Sequence, residues 1–229
     1  MSALDAAAAR KDRARARALV APFAESEVSV TREKARRLLV EAFGASAKDF
    51  VPLPSATRYT ESDYRRLARS VLAALAAPSD GTWGTVRTPR GSFRVDLAEA
   101  EAPMTVDSFV SLARRGFFDG LVFHRVVPDF VVQGGDPRGD GSGGPLYAIR
   151  DEINPLPYVR GAVGMALSGP DTGGSQWFAT LSPQPHLDGG YTVFGRVSDP
   201  DGVLDRVEQG DRIERVEIGA GGSGPRRGM

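Results

Sequence analysis

The chain has 229 residues, 41% apolar and 25% charged, with 27 glycines and 16 prolines, too few for low-complexity disorder. It is therefore a globular protein with room for one large domain, or for a domain of about 150 residues and a smaller companion. Twenty-nine basic and 29 acidic residues cancel, so no whole-chain field draws it to nucleic acid or an anionic membrane. The lack of cysteine excludes disulfides, thiolate zinc sites, iron–sulfur clusters and cysteine nucleophiles.

Residues 1–24 place Arg10, Lys11, Arg13, Arg15 and Arg17 where a signal peptide needs its apolar run, and no stretch approaches the roughly 18 apolar residues of a membrane span. The expectation is a cytoplasmic chain, or an exported one if the sequence is the inner part of a longer protein. Composition changes near residue 80. Residues 1–80 hold 20 alanines and one glycine, Gly44, whereas the other 26 glycines follow. Glycine marks turns and bulges, so the first part reads as helical and the second as strand and loop.

In chain order, an Arg- and Ala-rich helix is expected over residues 4–20 and a second from Thr31 to Phe43, ending at Gly44. A third carries Tyr64, Leu67, Ala68, Val71, Leu72 and Leu75 on one face, with a Thr60–Asp63 cap at its start and Pro78 as its stop. Paired helices of this kind resemble the last units of an α-helical repeat. From residue 81 the chain reads as strands: Thr85–Thr88 and Ser92–Leu97 flank the turn Pro89–Gly91 as a hairpin. One helix follows, with Val106, Phe109, Val110 and Ala113 on a face, Thr105 as its start cap and Gly116 as its end cap. Short apolar runs then fall at Leu121–Val127, Phe130–Gln133, Ala162–Leu167, Gln176–Leu181, Tyr191–Val197 and Ile213–Ile218, which with the hairpin make eight strands. Eight strands between Gly- and Pro-rich loops suit a mainly β fold, a closed antiparallel barrel that removes exposed edges, with a second short helix at Val203–Gln209 plugging one end. Residues 219–229 read as a disordered tail.

Two segments are dense in unusual chemistry. Phe123–Asp136, FHRVVPDFVVQGGD, sets Arg125, Phe130 and Gln133 among apolar strand residues, where charged and amide groups need partners. Taken alone, Arg125 would be expected to pack its stem and pair with an acid. Gly161–Thr180 and Pro185–Val193 add Ala166, Gln176, Phe178, His186, Leu187 and Tyr191. Other patterns are weaker. Gly134–Gly144 lacks the GK[ST] ending of a phosphate loop, and His124 and His186 have no acidic partners at metal-ligand spacing. Ser175 lacks a G-x-S-x-G elbow, and Arg13–Arg17 is interleaved with alanines instead of aromatics. No metal site and no nucleic-acid surface are expected.

FHRVVPDFVVQGGD, GSGG at Gly141–Gly144, GMA at Gly164–Ala166, GSQWFAT at Gly174–Thr180 and LDGGYTVFGRV at Leu187–Val197 closely resemble the cyclophilin family of peptidyl-prolyl cis-trans isomerases over about residues 83–218. The family fold is an eight-stranded closed barrel capped by two helices. By position, the resemblance implies that Arg125 is the catalytic arginine and that Gln133 positions it. It implies that Phe130, Val131, Phe178 and Leu187 form a proline pocket, and that Ala166, Leu167, Gln176, His186 and Tyr191 complete the groove. Val131, Leu167, His186 and Tyr191 stand where the best-known eukaryotic members have methionine, asparagine, tryptophan and histidine. The exchange at His186 implies weakened cyclosporin binding.

The chemistry is consistent with those residue types. An X-Pro bond resists rotation through a barrier of about 18–20 kcal/mol set by its partial double-bond character, and rotation breaks no bond, so no cofactor is required. A catalyst has to favour the twisted amide, whose pyramidal nitrogen accepts a hydrogen bond that the planar amide cannot. A permanently protonated arginine in a dry groove suits that task. The expected substrates are proline-containing peptides or unfolded protein segments. The competing expectation is a non-catalytic proline-peptide binding or assembly module with a helical partner-docking segment.

Overall fold

The structure, a computed structural model, describes residues 3–9, 11–25, 29–46, 60–76 and 81–220. The expected stop at Pro78 and the end of the expected tail lie outside them. The chain divides into two compact units: Met1–Arg58 with Leu146–Ala148, and the remainder. The boundary falls before the helix that contains Tyr64 and Leu67, not after it.

In the first unit the expected helix over 4–20 is two, α1 (Ala3–Ala8) and α2 (Arg13–Val20). Asp12 restarts the helix: its Oδ1 accepts the Arg15 N–H at 3.0 Å, satisfying a donor that a helix start leaves orphaned. A 3-10 turn, Ala21–Glu25, leads to α3 (Ser29–Phe43), which leaves the helix at Gly44, φ 68°. Ala8, Val20, Ala24, Ala35 and Leu39 form the core of this unit, and Lys34 donates to Asp5 at 2.7 Å across its edge.

In the second unit α4 (Glu61–Ala76) opens on the expected cap. The Thr60 N–H donates to Asp63 Oδ2 at 2.8 Å, and the Asp63 N–H donates back to Thr60 Oγ1 at 3.3 Å. Arg66 ties α4 to Asp107 of α5 (Pro103–Arg114) at 3.1 Å. Eight strands follow the expected sequence: β1 (Thr82–Thr88), β2 (Gly91–Leu97), β3 (Arg125–Val127), β4 (Val131–Gly134), β5 (Ala162–Met165), β6 (Trp177–Thr180), β7 (Val193–Ser198) and β8 (Arg215–Ala220). All pairings are antiparallel, in the order β3-β4-β6-β5-β7-β2-β1-β8.

The barrel is not the closed one expected. The sheet curls into a half-barrel whose end strands β3 and β8 share no ladder. Their lead-in segments instead meet through one isolated bridge, Val122–Arg212. Backbone bonds flank it from Gly120 to Ile213, from Ile213 to Leu121 and from Phe123 to Asp211. The second expected helix is also absent: Val203–Gln209 contains a single 3-10 turn, Leu204–Arg206, its start held by the Asp199 carboxylate accepting the Val203 and Leu204 N–H groups. Gly219 and Ala220, expected in the tail, pair with Trp83 and Thr82 as the end of β8.

One face of the sheet packs on α5. Phe109 sets its ring edge-on to Trp177 at 6.1 Å and 5.4 Å from Phe194, while Phe123 meets Trp177 at 5.9 Å. Thr105 does not cap α5 with its own side chain. Glu152, 47 residues downstream, accepts the Met104 and Thr105 N–H groups at 2.9 and 2.7 Å and the Thr105 hydroxyl at 2.8 Å. Burial raises the Glu152 pKa against the pull of those donors. Glu152→Ala removes the carboxylate that accepts from three donors and is expected to lower unfolding stability by about 1–3 kcal/mol in denaturant titration, Glu152→Gln by less. An alanine variant as stable as the parent would contradict this account of the cap.

Candidate active site

Successive strand residues face opposite ways. With Trp177 turned to α5, Phe178 faces outward, and the register carries this outward row across four strands: Arg125 of β3 opposite Gln133 of β4, Gln133 opposite Phe178 of β6, and Phe178 opposite Gly164 of β5. These candidate residues therefore share the sheet face away from α5.

Hydrogen bonds fix the polar end of this row. Gln176 Nε2 donates to the carbonyls of Gly141 and Gly143 at 3.0 and 2.8 Å, which turns Gln176 Oε1 toward Gln133. Gln133 Nε2 donates to that oxygen at 3.1 Å, so Gln133 Oε1 is the atom left to face Arg125, whose Nη1 donates to it at 3.3 Å. The Arg125 guanidinium also lies over the Phe130 ring, 5.2 Å from its centroid. Arg125 does not pair with an acid, as its residue type alone suggested: among the described residues no carboxylate stands within ion-pair distance of it. Its remaining donors are available, and the side chain is exposed at the rim instead of lying in the dry enclosure expected around it.

The apolar end adjoins it. Val131, Phe178 and Leu187 are 2, 6 and 8% exposed and pack with Tyr158, Ala162 and Val193, while Phe130, Leu156, Ala166 and Tyr191 are partly buried against them. Leu187 rides on the 3-10 turn Pro185–Leu187. Asp129, in the left-handed region at φ 56°, directs its carbonyl to Gln184 Nε2 at 2.8 Å. That bond holds the turn bearing Phe130 against the segment bearing Leu187. His186, exposed, stacks on Phe130 with centroids 5.8 Å apart, and Tyr191 meets Phe178 edge-on at 6.1 Å. Leu167, half-buried, follows Ala166 but lies outside this cluster. Sequence reasoning missed Tyr158, Gln184 and Asp129, which touch the site only through the fold.

Residues 84–219 match the model of the cyclophilin type peptidyl-prolyl cis-trans isomerase/CLD family, more than half of the chain. The chain belongs to the cyclophilins. A peptidyl-prolyl cis-trans isomerase of Helicobacter pylori is 47% identical over 138 residues, 58% of this chain and 85% of that protein. One of Synechococcus elongatus is 47% identical over 139 residues, 60% and 96%. Peptidyl-prolyl cis-trans isomerase B of Bacillus subtilis is 48% identical over 125 residues, 54% and 87%. Among solved structures, a Cryptosporidium parvum cyclophilin type isomerase superposes with a TM-score of 0.58 at 30% identity, covering 63% of this chain and 99% of that one. The same protein in the presence of the dipeptide Ala-Pro gives 0.54, covering 62% and 99%. The activity is peptidyl-prolyl cis-trans isomerisation, so the enzyme expectation holds over that of a non-catalytic module.

One further residue of the cyclophilin motif bears on pH. Both ring nitrogens of His124, beside Arg125, are buried with no hydrogen-bond partner among the described residues. Burial holds its pKa below the ordinary 6.5; Asp136, Asp140 and the nearby Gln176 amide, too poorly placed for an ordinary hydrogen bond, oppose that shift, and the Arg125 charge adds to it. The folded domain thus favours neutral His124, and this contribution to stability is full above pH 6.5 and is lost as pH falls through the folded value. The melting temperature of the parent is expected to fall more steeply between pH 7 and 5 than that of His124→Gln. Parallel profiles would contradict the shift.

Proposed function

We propose that Arg125 catalyses the rotation by donating a hydrogen bond to the prolyl nitrogen as it becomes pyramidal, while Val131, Phe130, Phe178 and Leu187 grip the proline ring. Gln133, anchored through Gln176 to the 141–143 loop, orients the guanidinium and leaves its other donors for the substrate. The observation that carries this reading is the adjacency of an unpaired, permanently charged donor to a buried apolar cluster in one register row. Ala166, Leu167, Gln176, His186 and Tyr191 line the rest of the groove, with Leu167 contributing main chain.

Magnitudes decide how the work divides. A charge-assisted hydrogen bond is worth about 1.5–3 kcal/mol net, whereas even modest enzymatic acceleration needs about 8 kcal/mol. Arg125 is exposed at the rim, so the peptide itself must exclude water from the guanidinium and strengthen that bond. The apolar grip supplies the rest by holding the ring while the preceding residue turns. The substrates on this reading are proline-containing peptides and unfolded segments, and His186, where the best-known eukaryotic members have tryptophan, weakens cyclosporin binding. Titration with Ala-Pro, followed by amide shifts, tests the groove: perturbations are expected on β3, β4, β6 and residues 185–191. Shifts confined to other elements would overturn it.

A further inference from the structure

Behind the proposed proline pocket stands a side chain that the mechanism above does not use. Tyr158 is 1% exposed, and its ring stacks on that of Phe178 with centroids 5.5 Å apart and planes 20° apart. Tyr191 meets the same ring edge-on at 85°, so Phe178 is held on its face by one tyrosine and at its edge by another. The Tyr158 hydroxyl has no hydrogen-bond partner among the described residues. An orphaned buried hydroxyl is destabilising and phenylalanine would fill the same stack without that penalty, so what Tyr158 offers this site is its ring.

The neighbouring backbone shows where the hydroxyl goes. Gly164 lies directly opposite Phe178 in the ladder, with a backbone conformation that any residue can adopt. A Cβ at Gly164 would lie inside the van der Waals shell of the Tyr158 hydroxyl, 2.6 Å from Phe178 Cζ and 2.8 Å from Tyr158 Cε1. Glycine is required there for space, not for backbone freedom. The gap it leaves is occupied by the Tyr158 hydroxyl and the tip of the Phe178 ring together.

We propose that Tyr158 and Gly164 form a brace that fixes the Phe178 ring in its proline-gripping orientation, making both positioning residues for peptide binding. The brace rests on the assignment of Phe178 to the pocket wall. Because Phe178 is packed on two sides, its ring has one orientation before substrate arrives, and binding loses no entropy in selecting it. Removing the stacking face, or intruding a methyl group where Phe178 Cζ and the hydroxyl meet, frees or displaces the ring and weakens the grip.

Titration calorimetry of the whole chain with an Ala-Pro peptide separates a brace from a merely structural role. Irreversible unfolding lowers the fraction of sites that bind, and reversible unfolding weakens the apparent constant only by the folded fraction that the melting curve reads, whereas a loosened ring weakens the dissociation constant of protein that is fully folded at the titration temperature. Tyr158→Leu and Gly164→Ala are each expected to weaken the dissociation constant by about fivefold with full stoichiometry. Tyr158→Phe keeps the stack and is expected to bind within about twofold of the parent and to melt at a higher temperature. If Tyr158→Leu and Gly164→Ala change only the stoichiometry or the melting temperature while Phe178→Ala weakens binding, the brace is wrong and the pocket stands. Weakening by Tyr158→Phe equal to that by Tyr158→Leu would also overturn it, since the ring stack would then not be the agent. Unchanged binding in Phe178→Ala overturns the pocket assignment, and the brace with it.

Discussion

Replacing Arg125 with alanine is expected to lower turnover of an X-Pro peptide on the order of 10²–10³-fold while changing peptide affinity by less than about tenfold. On the proposed mechanism the asymmetry follows from what the guanidinium meets. A planar amide nitrogen has its lone pair delocalised into the carbonyl and accepts poorly, and the twisted one accepts well, so the bond forms chiefly at the top of the barrier. Arg125→Lys tests geometry against charge. Lysine keeps the positive charge but lacks the planar fork that can serve the Gln133 oxygen and the substrate together. It is expected to restore less than about a tenth of the lost turnover. Recovery to near the parent rate would show that charge alone suffices.

Phe178→Ala carries the second large effect, and it falls on affinity and stability together. The ring is 6% exposed and packs between Tyr158 and Tyr191, so its removal leaves a cavity on the outer face of β6. A loss of about 3 kcal/mol in unfolding free energy and at least about tenfold in peptide affinity is expected. Denaturant titration and calorimetry on the same preparation check both. A variant as stable as the parent would mean that the site collapses freely around the missing ring.

The parts of the fold legible in the sequence were those set by local chemistry. The Pro89–Gly91 turn between alternating apolar residues marked the hairpin, although Gly91 itself joins β2 opposite Thr88 and leaves a two-residue loop. The cap at Thr60 and the exit at Gly44 depend on residues within one turn and were readable for the same reason. What was not legible depends on partners far along the chain. Leu121–Val127 read as one strand because all of it is extended, yet only Arg125–Val127 joins the ladder, while Val122 bridges Arg212. Period-two patterning does not specify a partner, so it cannot distinguish a closed ladder from a seam. The Glu152 cap, 47 residues from its helix, leaves no local mark.

The site divides in the same way. Arg125, Gln133 and Phe178 were singled out by their motifs, and strand register places the three in one row. The exposure of Arg125 was not readable, since accessibility depends on tertiary neighbours that a local motif does not place. Tyr158 escaped notice because it sits in a proline-containing stretch with no periodicity, and its role shows only in the stack with Phe178. Gly164 stood inside a recognised motif, but the reason for glycine there appears only once Tyr158 is in place.

Exchange spectroscopy by NMR on an enzyme-saturated Ala-Pro peptide reads the cis-to-trans rate on the protein separately from the dissociation constant. If Arg125 acts on the twisted imide, Arg125→Ala slows that on-enzyme rate toward the uncatalysed value while the peptide remains bound. An on-enzyme rate equal to the parent's, with only the affinity lowered, would contradict the role assigned to the guanidinium.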